Sequence, residues 1–165
     1  MLKFTDDILN NMEYGSVTGV VYLDQRKAFD KVNHSILLRK MKVTGVDDVS
    51  IKWFKSYLNN RTERTVLGNA ISSSRIVKTG VPQGSVLGPL LFLGYINDLT
   101  ERFNHNVASL FADDTAIYCS ATSTQELQRK LNEDLRGVKD WLNSHKLSLN
   151  TRQSLNLWPL VGLKG

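Results

Sequence analysis

"SLFADDTAIY" at residues 109–118 sets two adjacent carboxylates, Asp113 and Asp114, between two apolar runs. Val107, Leu110 and Phe111 precede them, and Ala116, Ile117, Tyr118 and Cys119 follow. Apolar runs on either side of a short polar tip read as a β-hairpin. Neighbouring residues of a strand point to opposite faces, but a tight turn relaxes that rule and lets both carboxylates approach one point. Like charges held that close repel and raise each other's pKa, a conflict that a divalent cation relieves. Taken alone, the pair has a plainer reading: an ordinary aspartate turn in which Thr115 bonds locally.

Asp24 changes that balance. "VTGVVYLD" at 17–24 is a β-branched, apolar strand that also ends on an acid. If this strand and the 107–119 hairpin are neighbours in one sheet, three carboxylates meet at one edge. Such hard oxygen donors suit Mg²⁺, and two ions about 3.5–4 Å apart support in-line phosphoryl displacement. Asp30, six residues on, is expected to cap the helix that follows it. A third element is "GVPQGSVLGP" at 80–89. Its three glycines and two prolines fix a backbone that can approach a flat or charged ligand closely, and Gln83 offers both a donor and an acceptor beside it.

The rest of the chain frames these three elements. A length of 165 residues bounds one domain with a modest core. The apolar fraction of 41 % and charged fraction of 22 % exclude a disordered chain. One cysteine, Cys119, excludes an internal disulfide. Neither a signal peptide nor a membrane span is expected. Charge is uneven: residues 26–78 carry 12 Lys/Arg against 4 Asp/Glu, within a net charge of +5. A basic half beside an acidic focus points to a polyanion partner.

Helices are expected over 5–15 with Thr5 as N-cap, over 34–45, over 47–60, from Pro89 to Leu99, and over 123–146. The last has capping-box spacing at Ser123 and Glu126 and a stripe of Leu127, Leu131, Leu135, Val138 and Leu142. Two short strands joined by Gly68-Asn69 are expected between 64 and 80, and another over "LSLN" at 147–150. Strands, helices and a late hairpin give the α+β class: a small antiparallel sheet with helices packed on one face.

"VVYLDQRKAFDKVNH", "GVPQGSVLGPLLFLGYINDL" and "LFADDTAIY", in that order, resemble motifs A, B and C of reverse transcriptases, above all those of jockey-like non-LTR retrotransposons. The similarity runs from about residue 5 to about residue 152. It implies a reverse-transcriptase-like palm and an RNA-directed DNA polymerase using two Mg²⁺ ions, with Mn²⁺ as a substitute. Asp24, Asp113 and Asp114 match the catalytic metal ligands, and the backbone carbonyl of Gln25 a further ligand. Phe29 matches the aromatic that crowds the sugar 2′ position, and Gln83 and Gly84 match residues near the incoming nucleotide. Asn97 and Asp98 match framework positions. Lys52, Lys55, Arg61 and Arg64 are collectively the candidate contacts to nucleic-acid phosphates. The implied partners are an RNA template, a DNA primer and a dNTP, with no membrane, in the nucleus or cytoplasm.

Departures from the family pattern are equally visible. Only 23 residues precede Asp24, so most of the family's fingers and all of its thumb are expected to lie outside this chain, in the parent polyprotein. Gln153 stands where the family usually has a lysine, and Gly94 where it has an apolar residue. Residues 1–152 are thus expected to be a palm core, with 153–165 a divergent tail. The resulting expectation is a fragment that is weak or inactive alone. The alternatives are a non-catalytic nucleic-acid-binding remnant of a mobile element, or an RNA-dependent RNA polymerase or palm-related cyclase. Phe29 and the "PQGSVLGP" stretch speak against the last two.

Overall fold

The apolar strand that ends on Asp24 lies inside a sheet. The computed structural model describes residues 2–105, 107–111, 114–150 and 158–161. In chain order the elements are α1 (Leu2–Glu13), β1 (Val17–Asp24), a 3-10 turn (Phe29–Lys31), α2 (His34–Val43), α3 (Asp48–Leu58), β2 (Thr62–Glu63), β3 (Val66–Leu67), β4 (Ala70–Ile71), β5 (Arg75–Ile76), α4 (Leu87–Ile96), a second 3-10 turn (Asn97–Arg102), β6 (Val107–Phe111), β7 (Asp114–Ala121), α5 (Thr124–Ser144) and β8 (Trp158–Val161). They form two compact units: a sheet unit of residues 1–26 and 97–165, and a helical unit of residues 27–96.

The sheet unit has strand order β6-β7-β1-β8, and every pairing is antiparallel. The α+β class and the small antiparallel sheet expected from sequence are both present, but the helices, expected on one face, cover both, because β1 is apolar on both sides for most of its length. Val20, Val21 and Leu23 are all buried. On the Gly19 face, a Cβ at position 19 would lie 3.0 Å from Leu131 and 3.1 Å from Leu127, so α5 rests directly on the strand. The buried stripe of α5 contains Leu127, Leu131, Val138 and Leu142, and Ser123 caps the helix by accepting from the Glu126 N–H. On the opposite face α1 adds cover: Ile8 packs with Val20 and Tyr118, and Phe4 meets the Tyr118 ring edge-on at 4.8 Å. That contact is why α1 extends back through Thr5 instead of starting there. Phe4 and Ile8 lie one turn apart, so burying both rewards the extra turn. β8 pairs with Val17–Val20 in a tail that sequence left unassigned. It is an edge strand, where a proline such as Pro159 is tolerated.

Tyr118 donates a hydrogen bond to Asp7 Oδ2 at 2.7 Å, tying α1 to β7. Burial, then the neighbouring Asp7 carboxylate, push the Tyr118 phenol up to about 12. The unfolded phenol ionises near pH 10. This contribution is therefore complete below about pH 10 and lost as pH rises toward 12, on the order of 2 kcal/mol. Urea unfolding at pH 9 and at pH 11.5 measures it. The native chain is expected to lose this increment beyond what the Tyr118→Phe chain loses. Equal losses in the two chains refute the assignment.

In the helical unit, α2 is capped by Asn33, whose Oδ1 accepts from the Ile36 N–H at 3.1 Å. Asp30 therefore does not cap it, contrary to the sequence expectation: it sits three residues too early, in the 3-10 turn. α3 is capped by Asp47, which accepts from the N–H groups of Val49 and Ser50 at 2.9 Å. The Ser50 hydroxyl, followed by the same main-chain donors, holds the Asp47 carboxyl below the usual carboxylate range. The strands near Gly68-Asn69 form two separate ladders, β2 with β5 and β3 with β4, of two residues each. Val66, Leu67, Ile71 and Ile76 on them are exposed, so nothing in this unit rewards longer pairing. α4 opens where the Ser85 hydroxyl accepts from the Gly88 N–H, with Pro89 in its first turn. Lys40 of α2 donates to the Tyr95 carbonyl and lies 5.2 Å from the Tyr95 ring centre, joining α2 to α4. Among the described residues no helix is long and apolar enough to cross a membrane.

Candidate active site

β1 and β7 run side by side in a register that pairs Val20 with Tyr118, Tyr22 with Ala116 and Asp24 with Asp114. Paired residues of an antiparallel ladder share a face, so positions 24 and 114 fall on the face of Val20 and Tyr22. α1 covers that face at Val20, but two residues later Tyr22 is 46 % exposed. The sheet thus opens to solvent just before its acidic end. Asp24 spends its main-chain carbonyl on the N–H of Asn150, at 2.8 Å. Asn150 lies on the edge of β1 away from β7, so Asp24 and Asp114 form a non-hydrogen-bonded pair, the kind with Cα atoms only about 4.5 Å apart. β6 and β7 close as a hairpin in which Phe111 pairs with Asp114. Asp113 lies outside the described residues, as does the side chain of Asp114.

The chain just beyond Asp24 is also held. Arg26 N–H donates to Ser148 O at 3.0 Å, and Gln25 bridges Leu149. Since residues 24 and 26 direct their main-chain groups to the 148–150 segment, strand alternation turns those of Gln25 to the β7 side. Gln25 itself is buried, and its Oε1 has no hydrogen-bond partner among the described residues. Among the described residues no group of three His, Cys, Asp or Glu side chains is placed to hold a metal, two of the three expected carboxylates being outside that set.

The other expected site residues belong to the helical unit. Phe29 stacks on Phe92 with ring centres 4.7 Å apart. Gln83 is exposed, and its Nε2 donates to Asp30 Oδ1 at 2.6 Å. The loop leading to it is sewn to the same 3-10 turn: Thr79 Oγ1 donates to Asp30 O at 3.0 Å, and Val81 N–H to Phe29 O at 2.9 Å. Gly84 has φ +75°, a conformation that favours glycine. Lys52, Lys55 and Arg64 are exposed, while Arg61 lies 3.5 Å from Glu63. This unit holds 11 Lys/Arg against 4 Asp/Glu. Trp53 is exposed on α3 and stacks on Tyr57 at 5.3 Å.

Sequence reasoning missed two supporting acids. Asp134 is buried and accepts from the N–H groups of Asn104 and His105, at 3.1 and 3.0 Å, just before the chain enters β6. Its position on the apolar stripe of α5, three residues after Leu131, was the available signal: a buried acid requires partners. Asp30 is the second, read as a cap when it is the acceptor for Gln83. Asp98, read as framework, accepts from Trp141 Nε1 at 3.1 Å and bolts the end of α5 to the second 3-10 turn.

Residues 3–154 match the family described as reverse transcriptase (RNA-dependent DNA polymerase). Among curated proteins, the chain is 31 % identical over 167 residues to the probable RNA-directed DNA polymerase from transposon BS of Drosophila melanogaster, covering 93 % of this chain and 18 % of that protein. It is 30 % identical to the RNA-directed DNA polymerase from mobile element jockey of the same organism, covering 95 % of this chain and 18 % of that one. The chain therefore spans under a fifth of the length of these relatives. Among solved structures, apo telomerase from Candida tropicalis superposes with a TM-score of 0.65 at 16 % identity, over 99 % of this chain and 34 % of the telomerase chain. That likeness is one of fold.

Proposed function

The chain belongs to the reverse transcriptase (RNA-dependent DNA polymerase) family, and we propose that it is the palm core of an RNA-directed DNA polymerase, with catalysis centred on Asp24, Asp113 and Asp114. The observation that carries this reading is the register, which sets Asp24 opposite Asp114 at the open end of the sheet, one residue from Asp113. The donor set fits a hard divalent cation. It consists of carboxylates on strand ends, and Asn150, a described partner of Asp24, is a neutral amide that does not cancel the negative charge. Mg²⁺, with Mn²⁺ as a substitute, would be held by these carboxylates and the Gln25 carbonyl. Bound there, it supplies charge neutralisation at the primer hydroxyl and at the departing pyrophosphate.

In the reaction, the primer 3′-oxygen forms a bond to the α-phosphorus of a dNTP and the bond to pyrophosphate breaks. The chain's contribution is position and charge. β1 and β7 carry Asp24 and Asp114 at paired positions of one ladder. Phe29, braced on Phe92, crowds the sugar 2′ position. Gln83 and Gly84 lie along the nucleotide and template, with Gln83 oriented by Asp30. Lys52, Lys55, Arg61 and Arg64 neutralise template and primer phosphates without reading sequence. We assign residues 1–152 to the palm core and 153–165 to a divergent tail.

Primer extension on a homopolymer RNA template with Mg²⁺ or Mn²⁺ tests this. The relatives are more than five times longer, so extension by the 165-residue chain is expected to be slow and distributive. Phe29→Val is expected to raise ribonucleotide incorporation relative to deoxynucleotide by about tenfold or more, a loss of steric discrimination worth 1–3 kcal/mol. Unchanged sugar selectivity in an active chain removes Phe29 from the reading. The basic helical unit supports the plainer reading of a non-catalytic nucleic-acid-binding remnant. That reading requires RNA binding that falls with salt, ignores Mg²⁺ and is never accompanied by extension.

A further inference from the structure

The segment "LSLN" does more than end the sheet. Its residues 148–150 lie beside residues 24–26, from which they are separated by more than a hundred positions in the chain. Two main-chain hydrogen bonds hold it there, Arg26 N–H to Ser148 O at 3.0 Å and Asn150 N–H to Asp24 O at 2.8 Å. A third bond is of a different kind: Asn150 Nδ2 donates to Asp24 Oδ2 at 2.9 Å. The first two fix where residue 150 stands. The third acts on the Asp24 side chain itself.

We infer that Asn150 is a positioning residue that sets the rotamer of the Asp24 carboxylate for cation binding, an inference that rests on the metal role proposed above for Asp24. A carboxylate on a strand end has several staggered rotamers available. Anchoring one oxygen to a donor whose own main chain is tied to residue 24 selects among them. The chemistry of the donor matters as much as its reach. Lysine or arginine would bring positive charge to the place where a cation is to be held. Aspartate or glutamate would repel the carboxylate. A primary amide donates a hydrogen bond and leaves the negative charge intact. Partners of this kind, one bond removed from the ion, typically govern metal affinity by about 10–100-fold.

The test is Mn²⁺ binding by the 165-residue chain, read from the loss of the free-ion electron paramagnetic resonance signal. The variants are Asn150→Ala, Asn150→Leu and Asp24→Asn, with far-UV circular dichroism to establish folding. Asn150→Ala keeps the main-chain bond to Asp24, and Asn150→Leu keeps the side-chain volume as well. Each is expected to weaken Mn²⁺ binding by about tenfold or more at native helix and strand content. A structural tie alone predicts a lower unfolding midpoint with the Mn²⁺ affinity of the folded chain unchanged. If Asp24→Asn weakens binding while whichever Asn150 variant folds binds as the native chain does, the inference is overturned and the metal role of Asp24 stands. If the native chain does not bind Mn²⁺, or Asp24→Asn leaves binding unchanged, the metal role fails and takes the inference with it.

Discussion

Gly80→Ala is expected to destabilise the helical unit by about 2–5 kcal/mol, a large share of the 5–15 kcal/mol typical of a domain. Gly80 has φ +90°, and a residue bearing a Cβ loses roughly 1–2 kcal/mol in left-handed backbone. The larger part of the effect is steric. A Cβ here would lie 2.8 Å from both Asp30 Cα and Asp30 O and 2.9 Å from Asp30 C. These are main-chain atoms, so no side chain can swing aside. The 3-10 turn cannot retreat freely either: Gly80 N–H donates to Val32 O at 2.8 Å, and the Gly80 carbonyl lies 2.8 Å from His34 Nε2. Overpacking of this kind costs about 1–3 kcal/mol. Gly45 is the control, because it has φ +92° but meets nothing within 4 Å. Gly45→Ala is expected to lose only the conformational part. Urea midpoints of the two variants separate the contributions, and equal shifts would show that the close approach to Asp30 carries no energy. The same contact has a functional side. Gly80 brings its loop onto the turn that carries Asp30, and Asp30 accepts from Gln83, so loosening it is also expected to release Gln83.

Local chemistry explains what was legible in the sequence. α5 announced itself through Ser123 and its apolar stripe, and β1 through a β-branched, apolar run that is buried on both faces until Tyr22. The acidic positions were legible as strand ends, and the register then pairs two of them. What was not legible depends on partners distant in sequence. Nothing near Asp30 distinguishes a cap from an acceptor for Gln83, 53 residues away. Asn33, the actual cap, is as good a capping residue and stands directly before α2. "LSLN" reads as a strand, yet forms a single bridge at Leu149, and the side-chain bond of Asn150 has no periodic signature. β8 was invisible because four residues containing a proline carry no alternation, and only the free edge of β1 gives them a place.

Asp24→Asn is expected to cut primer extension by about a thousandfold or more, whether in this chain or in a parent polymerase carrying it, while leaving the fold intact or slightly firmer. The two effects have one origin. Asp24 pairs with Asp114 across the β1–β7 ladder, and like charges at directly opposed positions destabilise an antiparallel pair. Asparagine removes one of those charges and keeps an oxygen able to accept from Asn150 Nδ2. The sheet therefore loses a repulsion and keeps its tie, and the urea midpoint is expected to stay or rise. The chemistry loses a full negative charge from the set that would hold the cation. Positioned charge of this kind lowers a barrier by several kcal/mol, and each 1.36 kcal/mol is about tenfold in rate. A stabilised but inactive variant means that this sheet end gives up stability to keep carboxylates together. A variant that both unfolds at lower urea and loses activity only in proportion would mean that Asp24 serves the fold, and that the opposed pair is no more than a turn at the end of a strand.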